Sequence, residues 1–499
     1  MNLREIADAI LIKEVRGSLA VDVDGVTEDS RAVTPGCLFV AVRGLKNDGH
    51  RFIAQAVAAG AAAVLAEEPS AVDAPQIIVP STRRIAPFVA HAAAGFPARA
   101  LTMVGVTGTK GKTTTSLWIE RVLRAAGRET GLIGTLAVRA SAGGLARAHM
   151  ATPTTPPAVE LAGVLREMRE VGAKYVVMEA SSEGLAQFRA AGVPFRVAAF
   201  TNLAQDHLNF HGTMEAYGRA KGLLFSRLGN DFAPCADGGL PVAVLNADDP
   251  WSEVYRAETV QQVVTYGFGD GADVRAADVR LYSDGAAFRL QTFAGPADMR
   301  IHMPGRFSVY NALCAAASCL ALGLPLDAVA PALAAATAAP VPGRFERVEA
   351  GQPYTILVDY SHTPGSLENV LATIREFCRG RVITAVGCGG DRDRGKRPLM
   401  AQVAVKYSDL TVLTSDNPRT EDPERILDDM EAGVRDDPRA RYVRIAARAE
   451  GIRRALEEAR ADDVVLLAGK GHETYQIVGT TYHDFDDRAV AAQIVRGER

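Results

Sequence analysis

Apolar and polar positions follow two different periods along the chain, and the change between them predicts its secondary structure. Short apolar runs at residues 103–106, 175–178, 197–200 and 242–245 have the length of buried strands, and amphipathic stretches of helical period separate them. A regular alternation of such strands and helices is typical of mostly parallel sheets. The pattern therefore predicts an α/β protein.

The same pattern divides the chain into three segments. Residues 1–95 mix short strands at 38–42, 63–66 and 77–79 with a helix at 53–59. Residues 96–340 hold the strands above, then short alternating strands from 262 to 303 and alanine-rich buried helices. Residues 341–499 show strands at 355–358, 382–386, 410–413 and 464–467 with helices near 364–378, 396–407, 423–434 and 446–460. We predict a small N-terminal α/β domain, a central parallel-sheet domain and a C-terminal Rossmann-like domain.

Composition narrows the class of protein. A chain of 499 residues is too long for a single hydrophobic core, so about two to four domains are expected. Its formal net charge of −4 gives no electrostatic attraction to nucleic acid or to a membrane surface. The six cysteines are scattered without metal-ligand spacing, as in a reducing compartment, and no apolar run is long enough to span a bilayer. We therefore expect a cytoplasmic enzyme.

The stretch "VGVTGTKGKTTTS" at residues 104–116 joins a predicted strand to a predicted helix. Glycines let backbone N–H groups turn toward phosphate oxygens, and a helix N-terminus adds partial positive charge. Lys112 would reach the outer phosphates, and the Thr113 hydroxyl would complete a Mg²⁺ shell. The common form of this motif has glycine where this chain has Val106; the glycine comes one residue earlier, at Gly105. The stretch predicts a nucleotide site.

Other polar residues follow predicted strands. Glu179 ends one strand and is placed to hold a metal ion beside the phosphates. Asp206, His207 and His211 follow the next, and we expect a functional role for His207 more than for His211. Lys221 lies on a predicted helix and, on the sequence alone, is an ordinary helical lysine.

The third segment repeats this arrangement. Asp359 follows one strand, and Asp416, Asn417 and Arg419 follow another in "SDNPR", where Arg419 could pair with a carboxylate. Glu473 follows the last strand in "AGKGHETYQ". The basic run "GCGGDRDRGKRP" supplies Arg392, Arg394, Lys396 and Arg397, which are either an anion site or a solvated face.

These motifs in this order resemble the Mur ligases. The resemblance rests on "GTKGKTTT", "EASSEGL", "TNLAQDHLNFHG", "YGRAKGLLF", "GRFSVYNALCAAA", "VDYSHTPGSLENVL", "GCGGDRDRGKRPLM", "SDNPRTEDP" and "AGKGHETYQ", and covers essentially the whole chain. It implies a UDP-binding domain at 1–95, an ATP-binding domain at 96–340 and an amino-acid-binding domain at 341–499. It also implies a monomer that uses ATP and Mg²⁺ to join an amino acid to UDP-N-acetylmuramoyl-L-alanyl-D-glutamate through an acyl phosphate.

The resemblance also implies roles for individual residues. ATP would be bound by Gly108, Thr109, Lys110, Gly111, Lys112, Thr113, Thr114, Asn311, Arg344 and Asp359. The metal ligands would be Thr113, Glu179, His207 and Lys221, the last as a carbamate, with Lys112, Lys221 and His207 catalytic. The UDP-linked dipeptide would contact Ser30, Thr154, Thr155 and Ser181.

The form "DNPR" resembles that of the family members that accept meso-diaminopimelate. The resemblance implies that this amino acid contacts Arg392, Asp416, Asn417, Pro418, Arg419, Gly469 and Glu473. Two positions depart from the family pattern, since Glu183 stands where a histidine is common and Asn209 where an aspartate is common. The alternatives are a lysine-adding Mur ligase, a folylpolyglutamate synthetase-like ligase, and an NTPase that uses hydrolysis as a conformational switch.

Overall fold

The structure is a computed structural model of the chain, and it describes residues 1–44, 47–141, 146–148, 153–230 and 233–498. The chain forms two compact units. The first comprises Met1–Arg275, Thr292–Ala294 and Leu313–Ala332, and the second comprises Ala276–Gln291, Gly295–Ala312 and Leu333–Arg499. In the described part of the chain, no helix is long and apolar enough to cross a membrane.

The first unit begins with a small sheet. Its elements are α1 (Leu3–Asp8), β1 (Glu14–Arg16), β2 (Gly25–Thr27), β3 (Cys37–Val40), α2 (Ile53–Ala58), β4 (Ala63–Ala66), β5 (Gln76–Ile78) and α3 (Thr82–Ala93), with 3₁₀ turns at Ser30–Ala32, Gly49–Phe52 and Pro97–Ala100. The strand order is β1-β5-β4-β3-β2, and only β1 is antiparallel to its neighbour. Strands β3 and β4 are buried throughout, because apolar side chains cover both faces.

A larger sheet follows in the same unit. Its elements are β6 (Thr102–Thr107), α4 (Lys112–Ala125), β7 (Thr130–Ile133), β8 (Ala137–Ala140), β9 (Ala146–Ala148), α5 (Ala158–Glu170), β10 (Tyr175–Glu179), α6 (Ser182–Ala186), β11 (Phe195–Phe200), α7 (Leu208–His211), α8 (Met214–Ser226), β12 (Val242–Asn246), α9 (Trp251–Glu258) and β13 (Gln262–Gly267). Strands β13, β12, β11, β6, β10 and β7 are neighbours in this order and run parallel. Since parallel strands share one carboxyl edge, the residues after β6, β10 and β11 meet there.

Residues 274–338 form three strands and two helices. They are β14 (Val274–Tyr282), β15 (Gly285–Thr292), β16 (Gly295–Ile301), α10 (Arg306–Ala321) and α11 (Leu326–Ala338). The alternating exposure of β14 and β16 agrees with the alternating pattern predicted for this stretch. The predicted alanine-rich helices are also confirmed.

The second unit contains the C-terminal sheet. Its elements are β17 (Glu346–Val348), β18 (Thr355–Asp359), α12 (Pro364–Phe377), β19 (Val382–Val386), α13 (Lys396–Tyr407), β20 (Leu410–Leu413), α14 (Pro423–Glu431), β21 (Tyr442–Arg444), α15 (Arg448–Glu457), β22 (Val464–Ala468), β23 (Tyr475–Val478), β24 (Thr481–Asp484) and α16 (Asp487–Arg496). The strand order is β17-β18-β22-β19-β20-β21, parallel except for the β17–β18 pair, while β23 and β24 form a separate hairpin. The predicted α/β fold class is confirmed.

Helix caps show how local sequence sets the element boundaries here. Helix α12 begins after Thr363, whose side chain accepts a hydrogen bond from the Ser366 N–H in a capping box, and Pro364 takes the first helical position. Helix α14 begins after Asp422, whose side chain accepts a hydrogen bond from the Glu424 N–H, and Pro423 takes its first position. Helix α16 ends at Gly497, whose φ of 71° is left-handed.

Candidate active site

The phosphate-binding stretch is a preformed loop between β6 and α4. Gly108 has a φ of +147°, and a Cβ there would lie 1.8 Å from the Thr201 Oγ1, so only glycine fits. The backbone N–H groups of Thr109 and Lys110 donate to the carbonyl and side-chain oxygens of Asn202 at 2.8 and 3.0 Å. The end of β11 therefore holds the loop that leads into the N-terminus of α4.

Two lysines of the loop make polar contacts within the protein. The Lys112 Nζ donates to the carbonyl oxygens of Gly108 and Thr109 at 2.9 and 3.1 Å. The Lys110 Nζ pairs with the Asp206 Oδ2 at 3.2 Å. Thr113 and Thr114 are buried in the first turn of α4. The loop thus has the backbone and the cations that a phosphate chain requires.

Glu179, at the end of β10, lies against the loop and is 2% exposed. Its Oε2 accepts from the Thr113 hydroxyl at 3.1 Å, and its Oε1 accepts from the Thr135 N–H at 2.8 Å. The Thr135 hydroxyl also lies 3.2 Å from that of Thr154. This pairing of Thr113 with Glu179 follows from the sheet, because β6 and β10 are adjacent and in parallel register.

The oxygens of Thr113 and Glu179 fit Mg²⁺. They are hard donors, and Mg²⁺ is commonly held by one or two protein oxygens while keeping waters and phosphate oxygens as further ligands. Among the residues that the structure describes, no group of three or more His, Cys, Asp or Glu side chains is arranged to hold a metal by itself.

Lys221 on α8 is 1% exposed and points at the same loop. Its Nζ donates to the Gly108 carbonyl at 2.8 Å and lies 4.3 Å from the centre of the Tyr217 ring. Burial, and then the neighbouring Lys112 charge, lower the pKa of the Lys221 ammonium well below its ordinary value. The surroundings of Lys221 therefore disfavour its charged form, and the helical pattern alone does not reveal this burial.

His207 contacts Glu183. Its Nδ1 lies 3.5 Å from the Glu183 Oε1, and its backbone is left-handed with a φ of 53°. The hydrogen bond from His207 lowers the pKa of the Glu183 carboxyl below its ordinary value, against the effect of burial. His211 lies nearby, with its Nε2 3.0 Å from the Ser182 Oγ. In the contacts of the described residues, His207 joins Glu183 and not Glu179, so its role as a metal ligand stays a prediction.

Three of the predicted dipeptide contacts lie beside Glu179. The Thr155 hydroxyl donates to the Glu179 carbonyl at 2.9 Å and lies 3.0 Å from the Ser181 Oγ. The Arg189 guanidinium donates to the Thr155 carbonyl at 2.9 Å. Arg189 is not among the predicted residues, because it lies four positions beyond the end of the motif "EASSEGL" at residue 185. Ser30 is half-buried in its 3₁₀ turn, and its hydroxyl lies 3.4 Å from the Gln55 Oε1.

Three predicted nucleotide contacts belong to the second unit. Asn311 is buried on α10. The Arg344 guanidinium lies 4.8 Å from the centre of the Tyr360 ring. The Asp359 carboxylate accepts from the Phe345 N–H and the Ser361 N–H, each at 2.9 Å, and so holds the turn beside β18. Their contact with a nucleotide stays a prediction.

The "DNPR" residues form a buried turn after β20. Asp416, Asn417 and Pro418 are buried, and the Asn417 Nδ2 donates to the Glu473 Oε2 at 2.8 Å. A Cβ at Gly469, whose φ is +111°, would lie 2.6 Å from the Asp416 Oδ2. Burial and then Asp416 raise the pKa of the Glu473 carboxyl, against the lowering effects of Lys470 and Asn417.

Arg392 and Arg419 border the same glycine. A Cβ at Gly389 would lie 2.9 Å from the Arg419 Nη1 and 3.7 Å from the Arg392 Cγ. Arg419 has a left-handed φ of 52°, and its Nη1 donates to the Gly390 carbonyl at 2.9 Å. Arg392 is exposed. The structure therefore brings these two predicted residues together.

Two further arginines of the basic run form ion pairs, and the Lys396 Nζ donates to the His362 carbonyl at 2.8 Å. Arg397 is 0% exposed, and its guanidinium pairs with Glu421 and Asp429, each at 2.8 Å. Arg394 pairs with Asp429 at 3.0 Å. Arg397 is therefore a structural residue, and neither the anion-site nor the solvated-face interpretation holds for it.

The comparisons with known proteins agree with this geometry. Sequence models of the Mur ligase family match residues 22–96 (Mur ligase family, catalytic domain), 106–319 (Mur ligase middle domain) and 343–471 (Mur ligase, glutamate ligase domain). These matches leave the domain boundaries at 95 and 340 as predictions.

Individual relatives are similar over nearly the whole chain. UDP-N-acetylmuramoyl-L-alanyl-D-glutamate–2,6-diaminopimelate ligases are 49% identical over 476 residues in Geobacillus kaustophilus strain HTA426, covering 95% of each chain, and 49% identical over 479 residues in Geobacillus thermodenitrificans strain NG80-2, covering 96% of each chain. A solved structure with the same name aligns with a TM-score of 0.70 at 32% identity, covering 100% of this chain and 99% of the other. With its three domains matched and its length covered at this identity, the chain belongs to the Mur ligase family.

Proposed function

We propose that this protein is an ATP-dependent ligase that joins meso-2,6-diaminopimelate to UDP-N-acetylmuramoyl-L-alanyl-D-glutamate in the synthesis of peptidoglycan precursors. One observation carries the ligase chemistry. Lys112 and Lys221 share the Gly108 carbonyl, and Thr113 meets Glu179 on the same loop, so groups suited to phosphoryl transfer surround one phosphate-binding loop. The names of relatives at 49% identity support the choice of substrates.

The reaction needs an activated acid, because a carboxylate is a poor electrophile at neutral pH. An oxygen of the dipeptide's terminal carboxylate attacks the γ-phosphorus of ATP, the bond to the bridging oxygen breaks, and ADP leaves. The amine of diaminopimelate then attacks the acyl carbon and loses a proton, the carbon–oxygen bond breaks, and inorganic phosphate leaves. Lys112, the backbone of residues 108–111 and the N-terminus of α4 oppose the charge of the transferring group.

Mg²⁺, when bound, supplies charge neutralisation at the phosphate oxygens, with Thr113 and Glu179 as its protein ligands. His207 is proposed as a further ligand. Lys221 is proposed to act as a carbamate: its neutral amine can form an N–C bond with carbon dioxide and release a proton, which leaves an anion able to support a second Mg²⁺. The lowered pKa of the Lys221 ammonium supports this proposal, since only the neutral amine is nucleophilic.

Specificity for diaminopimelate is proposed to reside in the second unit. Arg419 and Arg392 would pair with the distal carboxylate, which lysine lacks, while Asp416, Asn417, Pro418, Gly469 and Glu473 would surround the ammonium at that end. A substrate without this carboxylate would leave cations unpaired, which is the basis of strong discrimination. A folylpolyglutamate synthetase-like ligase would not be expected to carry "DNPR" or the N-terminal stretch "TEDSRAVTPGCLFVAVRGLKNDGHRFI", which contains Ser30 and resembles the UDP-binding domain of the Mur ligases.

The remaining assignments are proposals of the same kind. Asn311, Arg344 and Asp359 would contact ATP; Ser30, Thr154, Thr155 and Ser181 would contact the UDP-linked dipeptide. The scattered cysteines and the net charge of −4 support a cytoplasmic protein without a nucleic-acid partner, and we propose a monomer.

A phosphate-release assay tests the proposal. Purified protein with ATP, Mg²⁺ and UDP-N-acetylmuramoyl-L-alanyl-D-glutamate should release phosphate only when meso-diaminopimelate is added. Release with L-lysine at equal efficiency would indicate a lysine-adding ligase, and release with folate and glutamate a folate enzyme. Release without any amino acid would favour the NTPase switch.

A further inference from the structure

Lys470, two residues after the end of β22, is a buried lysine that the site residues above do not include. Its side chain is 0% exposed, and its Nζ contacts three oxygens: the Asn417 Oδ1 at 3.2 Å, the Glu473 Oε2 at 3.1 Å and the Tyr475 carbonyl. An ammonium group has three N–H donors and no acceptor, so every donor has a partner. A buried charge is maintained only with such complete pairing.

This ammonium fixes the orientation of the Asn417 amide. The Asn417 Oδ1 accepts from Lys470 and from the Ile477 N–H at 2.9 Å, while its Nδ2 donates to Glu473. A flipped amide would direct its NH₂ group at two donors and its oxygen at a carboxylate. Lys470 therefore helps to hold Asn417 in the one orientation that satisfies all three neighbours.

Lys470 also offsets the negative charge of the partly buried Glu473 carboxyl group. Burial and then Asp416 raise the pKa of the Glu473 carboxyl, and Lys470 lowers that pKa. The other groups that interact electrostatically with Glu473 are Tyr360, Tyr475 and Arg448. Arg448 is itself paired with Asp487 at 2.6 Å. Lys470, by contrast, touches the Glu473 carboxylate directly, with its Nζ 3.1 Å from the Oε2.

The same contacts attach the β23–β24 hairpin to the "DNPR" turn. The Lys470 ammonium donates to the Tyr475 carbonyl, the Gln476 Nε2 donates to the Asp416 carbonyl at 2.7 Å, and the Arg419 N–H donates to the Ile477 carbonyl at 3.0 Å. The left-handed backbone of Arg419 is thus held from outside its own turn.

We propose that Lys470 is a positioning residue for the diamino acid: its ammonium holds the Glu473 carboxylate and the Asn417 amide in place, so that the turn presents a preformed site for the distal end of meso-diaminopimelate. This proposal rests on the function proposed above. Lys470 acts through Glu473 and Asn417 and does not itself contact the substrate.

The test is the kinetics of Lys470→Met, which keeps the length of the side chain and removes its charge. We expect the KM for meso-diaminopimelate to rise about tenfold or more, because a charge-assisted contact is lost. The KM for ATP should change less than about threefold. Lys406→Met is the matched control, because Lys406 is an exposed lysine of the same unit, 62% exposed, that pairs with Glu368. The control should leave both values unchanged.

A pH profile separates positioning from mere support of the fold. Without Lys470 the pKa of Glu473 should rise further, so the acid limb of kcat/KM for meso-diaminopimelate should move to higher pH in Lys470→Met. Lys470→Arg, which keeps the charge, should return that limb toward the wild-type pH. If Lys470→Met does not fold, Lys470→Gln provides the same comparison, since it is polar but uncharged.

Three outcomes would overturn the proposal. An unchanged KM and pH profile in folded Lys470→Met would do so, as would an equal change in Lys406→Met. A wild-type protein that releases phosphate with ATP and the UDP-linked dipeptide but does not respond to meso-diaminopimelate would overturn the proposed function, and the role of Lys470 with it. A responsive wild type with an insensitive Lys470→Met would overturn only the role of Lys470.

Discussion

The Thr113 hydroxyl donates to the Glu179 Oε2 across 3.1 Å, although the two residues are 66 positions apart in the sequence. Parallel pairing of β6 with β10 brings them together, since Glu179 is in register with Val106 at the end of the strand that leads into the loop. A hydroxyl and a carboxylate meeting beside a phosphate-binding loop are the pair that the proposed Mg²⁺ site requires.

Glu179→Gln should weaken the binding of Mg²⁺. The substitution keeps the size of the side chain but removes its charge, so the Mg²⁺ concentration for half-maximal phosphate release should rise about 10- to 100-fold. A Mg²⁺ titration of the reaction measures this. Glu170→Gln, at an exposed position of the same unit, is the control and should behave as wild type. An unchanged titration for Glu179→Gln would remove Glu179 from the metal site.

Lys221→Ala should abolish the ligase reaction, and a small carboxylic acid such as acetate should restore part of it. The reason is that the proposed active form of Lys221 is an anion, which free carboxylate can imitate in the space left by the side chain. Phosphate release with and without added acetate measures this, and Lys174→Ala at an exposed position is the control. Full activity of Lys221→Ala without additive would exclude the carbamate.

Arg419→Ala should lose the preference for meso-diaminopimelate over L-lysine while retaining ATP binding. The ratio of the two kcat/KM values should fall by about 100-fold or more. In the wild type, L-lysine would leave the Arg419 cation unpaired, and the substitution removes that cost. Competition between the two amino acids measures the ratio, and Arg435→Ala, an exposed arginine of the same unit, serves as the control. A preserved preference would contradict the role of Arg419.

Asp487→Ala should destabilise the second unit strongly. Arg448 and Asp487 are both 0% exposed, and removing one partner leaves a buried charge uncompensated, at a cost of about 3–5 kcal/mol in the free energy of unfolding. Arg439 and Asp437 offer a contrast, with side chains 90% and 36% exposed, so Asp437→Ala should cost far less, because water screens an exposed ion pair. Denaturant unfolding measures both, and equal costs would contradict the argument.

Much of the fold follows from local pattern. The strands at 382–386 and 410–413 and the helix at 396–407 have the bounds that their apolar runs predict. Helices α1 and α3 and the β23–β24 hairpin were not predicted. Helix α3 contains Pro87, which reads as a helix breaker and yet is buried within it, so packing outweighs local propensity there. The hairpin is fixed by contacts with the "DNPR" turn, which no local pattern records.

The site was predictable where polar residues follow strands. Glu179, Asp416 and Gly469 lie at carboxyl ends of parallel strands, as their positions in the sequence indicate. Pairing across the chain was not predictable: Arg397 is buried with Glu421 and Asp429, and Lys470 with Asn417 and Glu473. Whether a charged side chain is paired or free depends on residues that only the fold brings near.

The most direct test of the account follows a labelled oxygen. UDP-N-acetylmuramoyl-L-alanyl-D-glutamate carrying oxygen-18 in the dipeptide's terminal carboxylate is turned over with ATP, Mg²⁺ and meso-diaminopimelate, and the released phosphate is analysed by mass spectrometry. Activation as an acyl phosphate predicts that the phosphate gains a single labelled oxygen from the carboxylate. Unlabelled phosphate, with amide product formed, would contradict the account.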